Sequence, residues 1–198
     1  MKRITVVFTL CLFFLLSSMS ASGVTSLSPA PGRLLIASDQ IRDERFHHAV
    51  ILLLRHDAHG SVGLILNKPT DFTIDSLLPE NEKKGAGTTP IYSGGPLNPS
   101  TISVLWGGMS PPSGSADIIP GLAISGVEEM LLGLAMDELG AYSYRVLSGY
   151  CGWAPGQLEH ELRRRDWQVR GSGKLPLLEI DPGQMWRRLR LESGGTLI

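Results

Sequence analysis

The sequence predicts one compact α+β (α/β) domain built on a large mixed sheet with few helices. Three observations predict it. Short runs of Leu, Ile and Val recur along the chain, Pro, Gly, Asp and His bound them, and only two longer stretches carry helical spacing. The composition suits a fold that stands on its own core. Of 198 residues 42% are hydrophobic and 19% charged, and 2 cysteines are too few for a disulfide scaffold or a four-cysteine zinc site. With 23 Gly and 13 Pro, the chain turns often.

Each element follows from local pattern. Residues 24–31 form a flexible lead-in. Residues 33–37, 49–54 and 62–66 are short runs rich in Leu, Ile and Val, the pattern of buried strands. Residues 55–61 span a hairpin-like distance between the last two, which predicts an antiparallel pair. Further strands are expected at residues 90–93, 101–106 and 122–124. In residues 142–148, Tyr142, Tyr144 and Val146 alternate with Ser143 and Arg145. Ser125 and Glu128 form a capping box that opens a helix ending at Gly140. A second helix starts at Pro155-Gly156-Gln157 and runs to about Asp166. It turns Leu158 and Leu162 inward and pairs Glu159 with Arg163 and Glu161 with Arg165 on its wet flank. Residues 73–78 and 183–191 are shorter helical candidates. Residues 79–89 and 107–117 read as loops, and neither marks a domain boundary.

The N-terminus reads as an export signal. Lys2 and Arg3 precede an apolar run over residues 4–16, and small residues follow through Gly23. A run of thirteen residues is short for a membrane span, which needs about 20. Cleavage is expected near Gly23, and an uncleaved anchor is the alternative. Residues 1–23 are thus a signal segment and residues 32–198 the folded domain, outside the cytoplasm in either case. Removing Lys2 and Arg3 shifts the formal charge from −1 to −3. No basic footprint remains for phosphate backbones, so direct nucleic-acid binding is not expected.

Candidate chemistry is sparse. His47, His48, His56 and His59 crowd one region, but their spacing matches no zinc pattern. His47 and His48, read as strand neighbours, point to opposite faces. Cys151 lacks an adjacent base and reads as a small buried residue. Ser93-Gly94-Gly95-Pro96 has no phosphate-loop context and reads as a tight turn. Glu159 and Glu161, two apart on a helix, face different directions and read as solvated charge. The arginine clusters at residues 163–165 and 187–190 read as a solvated face. No catalytic set, metal or cofactor is expected.

The motifs taken in order are more informative than any one of them. They are residues 32–37, Phe46 with residues 50–54, His56-x-x-x-Gly60-Ser-Val-Gly-Leu-Ile-Leu-Asn67-Lys-Pro69, Gly94-Gly95-Pro96, and Gly149-Tyr-x-Gly-Trp153-x-x-Gly-Gln157-Leu-Glu159-x-Glu161 with Trp167 and Trp186. In this order they resemble the AlgH/YqgE family over nearly the whole mature chain. The resemblance implies a bifurcated, partly barrel-like sheet flanked by helices. For that family a transcriptional-regulator role has been suggested, and no catalytic residues are agreed. Members generally lack an export signal and carry Asn where Arg165 stands. A regulator acting on DNA would be stranded outside the cytoplasm, so that role fits this chain poorly.

Two functions are therefore expected. The first is an exported, non-catalytic module binding an unidentified protein or small molecule, with His56, Asn67, Gly94, Gly95, Trp153, Gln157 and Glu159 lining one groove. Membrane contact is then confined to an uncleaved N-terminal segment. The second is a hydrolase using His56 or Glu159 as base.

Overall fold

A computed structural model describes residues 27–77, 89–108, 111–128, 130, 143–173 and 175–191. The signal segment, most of the capping-box helix and the loop after residue 78 lie outside these residues. Ten strands are present among those described: β1 (Arg33–Ala37), β2 (Val50–Asp57), β3 (Gly60–Ile65), β4 (Pro69–Thr73), β5 (Pro90–Ser93), β6 (Leu97–Gly107), β7 (Ala116–Ile119), β8 (Leu122–Gly126), β9 (Ser143–Trp153) and β10 (Trp167–Gly171). Two helices accompany them, α1 (Gln157–Arg163) and α2 (Pro182–Leu191), with a 3-10 turn at Ile74–Leu77.

The strands form one sheet-dominated α+β domain in the order β10-β1-β2-β3-β9-β6-β8-β7, with β5 beside β9 and β4 beside β5. Every pairing is antiparallel except β5 with β9, which makes the sheet mixed, as expected. Strand β9 is where the sheet divides. Its Cys151–Trp153 end pairs with β3, and its Val146–Ser148 stretch pairs with β5. Both branches leave one strand, and the sheet curls.

Burial on both faces explains the continuous apolar runs. Leu34 and Ile36 of β1, with Val50 and Leu52 of β2, enter a core shared with Met185 and Leu189 of α2. Their neighbours Leu35, Ala37, Ile51 and Leu53 face a second core that holds Trp153, Leu158 and Trp167 beneath α1. Each strand therefore feeds two layers, and no polar residue falls within Leu34–Ala37 or Val50–Leu53.

Three strands escape the sequence reading, and three elements differ from it. Edge strands β4 and β7 carry little apolar alternation, and Phe72 of β4 is exposed. Strand β10 does alternate, with Trp167 and Val169 buried and Gln168 exposed. Residues 74–77 make a 3-10 turn rather than an α-helix. Helix α1 ends at Arg163, because Arg164 caps it and Arg165 takes the left-handed conformation at φ 63°. Ser125, read as an N-cap, lies in β8, where its hydroxyl accepts the Trp106 indole N–H at 2.9 Å and donates to the Gly126 carbonyl.

Candidate functional site

The C-terminal end of β9 delivers Trp153 to the start of α1, and β10 returns Trp167 to the same place. Between them stands Glu161. Its Oε2 accepts the Trp153 indole N–H at 2.8 Å and the Trp167 indole N–H at 2.7 Å. Its Oε1 accepts a hydrogen bond from Gln157 Nε2 at 3.0 Å, and Gln157 Oε1 in turn accepts the Ala154 amide at 3.0 Å. One carboxylate thereby fixes two rings at a T-shaped 84°, with centroids 6.2 Å apart. Phe46 meets the Trp167 ring edge-on at 5.9 Å.

These rings wall a cleft of about 630 Å³, which Pro96, Leu97, Cys151 and Gly152 extend toward β6 and β9. Its rim carries paired charges. Arg45 meets Asp43 at 2.6 Å and Arg164 meets Asp166 at 2.6 Å. The Arg45 hydrogen bond holds the Asp43 carboxyl below its ordinary value. Arg42 lines the cleft as well, so the aromatic slot holds three arginines against Asp43, Glu161 and Asp166.

The sequence-named residues separate into three groups. Trp153 and Gln157 line the cleft. Gly94 and Gly95 lie behind its floor, where the Cys151 thiol donates to the Gly94 carbonyl at 3.5 Å. Their role is close backbone approach more than turning. A methyl on Gly94 would run into the Gly149 carbonyl oxygen, and one on Gly95 into the Tyr150 carbonyl group. His56 and Glu159 meet outside the lining, with Nε2 3.6 Å from Oε1, while His56 Nδ1 lies 2.8 Å from Ser61 Oγ. Asn67 is apart from both groups. Its Oδ1 accepts the Val50 amide at 2.8 Å and its Nδ2 donates to the His48 carbonyl at 2.9 Å, so its amide completes the start of β2.

Several readings are corrected by this arrangement. Glu161, taken as solvated charge, is the anchor of the cleft. Phe46, Leu97 and Trp167 also line it, although none stood among the groove residues. The signal for Glu161 was present: it lies eight residues after one Trp and six before another. His47 and His48 do not occupy opposite faces of a strand, since the chain turns there and β2 begins only at Val50. The His48 backbone is left-handed at φ 56°, and the two rings lie 3.8 Å apart, tilted by 31°. On its other side His48 stacks on Trp186 at 3.7 Å.

The Cys151 thiol is poorly placed for chemistry. Burial pushes the Cys151 thiol up to about 12, so at neutral pH it is a protonated core group. Among the described residues, no group of three or more His, Cys, Asp or Glu is placed to hold a metal ion.

The sequence model of the AlgH-like family matches residues 34–197, from the first buried strand past α2. The chain belongs to the AlgH-like family. A UPF0301 protein of Streptomyces coelicolor is 33% identical over 184 residues, covering 89% of this chain and 93% of its own. One from Chlorobaculum tepidum is 32% identical over 166 residues, covering 83% and 87%. The solution structure of the AlgH protein from Pseudomonas aeruginosa is similar at TM-score 0.69 and 25% identity, over 90% of this chain and 94% of that one. Protein DIP2367 from Corynebacterium diphtheriae shares the fold at TM-score 0.64 and 24% identity, over 83% and 87%. All the cleft residues of this AlgH-like chain fall within the span that the family matches.

Proposed function

We propose that this AlgH-like chain is an exported, non-catalytic binding module whose ligand sits in the cleft between Trp153, Trp167 and Phe46. The observation that carries the reading is Glu161, which uses both oxygens to hold the walls of a concave aromatic site. A carboxylate committed to three N–H donors is a poor general base but a good fastener, and a preformed apolar slot with a few polar groups suits a small organic ligand or an aromatic peptide side chain. Export is supported by Lys2, Arg3 and the apolar run after them. On that reading a DNA-regulatory role is doubtful for this chain. On this reading the bifurcated, barrel-like form of the sheet serves to bring Leu97 of β6 and the Cys151–Trp153 end of β9 into one cleft.

The test is a thermal-shift screen of the chain lacking residues 1–23 against metals, nucleotides and cell-wall fragments, repeated on Leu97→Asp. Leu97 is exposed at the cleft, so the charge enters the site without disturbing a core. A compound that raises the midpoint of the parent but not of Leu97→Asp, without being turned over, supports the reading. Equal shifts in both proteins defeat it.

A hydrolase reading is favoured by one observation, the file of Ser61, His56 and Glu159, with contacts of 2.8 and 3.6 Å. Ser61 is only 3% exposed, which closes it to a substrate unless β3 opens. Labelling of Ser61 by a fluorophosphonate, lost in His56→Gln, would favour this reading over the first.

A further inference from the structure

The three consecutive arginines after Leu162 go to different places. Arg164 is neutralised by Asp166 on the rim of the aromatic cleft. Arg163 and Arg165 are not neutralised, because the glutamates four residues before them face elsewhere: Glu159 toward His56, Glu161 toward the two indoles. Among the described residues, neither guanidinium makes an ion pair or a hydrogen bond.

Both arginines line a second cleft, of about 650 Å³, on the other side of Trp167. Arg190 joins them there, tied to Asp39, and among the described residues no aspartate or glutamate lines the cleft. The contrast with the first cleft decides its chemistry. There three arginines, Arg42, Arg45 and Arg164, stand with Asp43, Glu161 and Asp166 in one lining, whereas here Arg163 and Arg165 have no acidic side chain beside them among the described lining residues, and a concave wall focuses their field. Leu27, Leu162 and Val169 supply an apolar floor beside them. Two unpaired guanidinium forks match a dianion, and the floor matches a short hydrocarbon.

We propose that this second cleft binds a phosphate monoester of a small apolar alcohol, its dianionic head on Arg163 and Arg165 and its chain over Leu27, Leu162 and Val169. The site shares only the Trp167 wall with the aromatic cleft and does not rest on the function assigned to that cleft.

Calorimetric titration of the full chain with octyl phosphate, below its micelle concentration, tests the proposal, with inorganic phosphate and octanol as separate arms. Octyl phosphate is expected to bind at least about tenfold more tightly than either fragment. Arg163→Gln should weaken it by about tenfold, while Arg164→Gln, which touches only the other cleft, should change it less than about twofold. Arg165→Asn separates binding from folding. Asn accepts the left-handed backbone at φ 63° at least as well as Arg, so the thermal midpoint should hold or rise while affinity falls by about tenfold. Absence of octyl phosphate binding, or equal binding by Arg163→Gln and Arg165→Asn, overturns the proposal. Inorganic phosphate binding as tightly as octyl phosphate overturns its apolar half.

Discussion

Glu161 accepts the indole N–H of Trp167 at 2.7 Å, through the same Oε2 that accepts Trp153. Helix α1 is thereby fastened to β9 and β10 at one point. Replacing Glu161 with Gln removes the charge and turns one acceptor into a donor that faces an N–H. Glu161→Gln is expected to lower stability by about 2 kcal/mol in urea unfolding. A loss below about 0.5 kcal/mol would mean that the rings hold themselves in place.

Gly95 and Gly156 both have positive φ, at 155° and 76°, but for different reasons. A methyl at Gly95 meets the Tyr150 backbone, whereas at Gly156 nothing lies within 4 Å. Gly95→Ala should therefore cost about 3 kcal/mol and Gly156→Ala about 1 kcal/mol, the left-handed penalty alone. Equal costs in urea unfolding would show that conformation, and not contact, explains the Gly94-Gly95 pair.

His48 lies between His47 and Trp186, with Asp39 3.7 Å from Nε2. Burial first, then His47, Lys68 and Arg190, hold its pKa below the ordinary value, and Asp39 opposes them. The unfolded chain, titrating near 6.5, then takes up the proton more readily than the folded one. The stabilising contribution is complete above about pH 6.5 and is lost as pH falls through the folded value. Asp39, lowered mainly by its hydrogen bond from Arg190, acts in the same direction but in a more acidic window, below its ordinary carboxyl range. The thermal midpoint should fall from pH 7 to pH 5, and less steeply in His48→Asn, which tolerates the φ of 56°. Parallel slopes would remove His48 from the account.

Cys151, pushed up to about 12 by burial, is ionised at pH 8 in roughly one molecule in ten thousand. In a Cys11→Ser chain, iodoacetamide should react with Cys151 only as fast as urea opens the fold. Rapid labelling of the native protein would reinstate a reactive thiol.

The sequence discloses most of what depends on local pattern. Strands β1 and β5 match residue for residue, because two-sided burial leaves an uninterrupted apolar run or a sharply bounded one. Edge strands β4 and β7 lack that signal, since one side of each faces water and their pairing is decided by what lies beside them. The site shows the same division. Trp153 and Gln157 stand out by motif and reach the cleft. Phe46 and Leu97 come from distant segments, and only the folded sheet brings them there. The i, i+4 pairs expected on α1 fail because indoles and a histidine, invisible to helical spacing, compete for the two glutamates.

The central claim is that the slot fastened by Glu161 is the ligand site. Indole N–H signals of the ¹⁵N-labelled chain, followed through an aromatic fragment screen, test it most directly. Trp153 borders only this cleft, Trp167 borders both clefts, and Trp106 is buried in a separate core. Hits are predicted to move the Trp153 and Trp167 signals together, to leave Trp106 still, and to lose their effect in Leu97→Asp. Hits that shift residues around His56 and Glu159 while leaving Trp153 unmoved would contradict it.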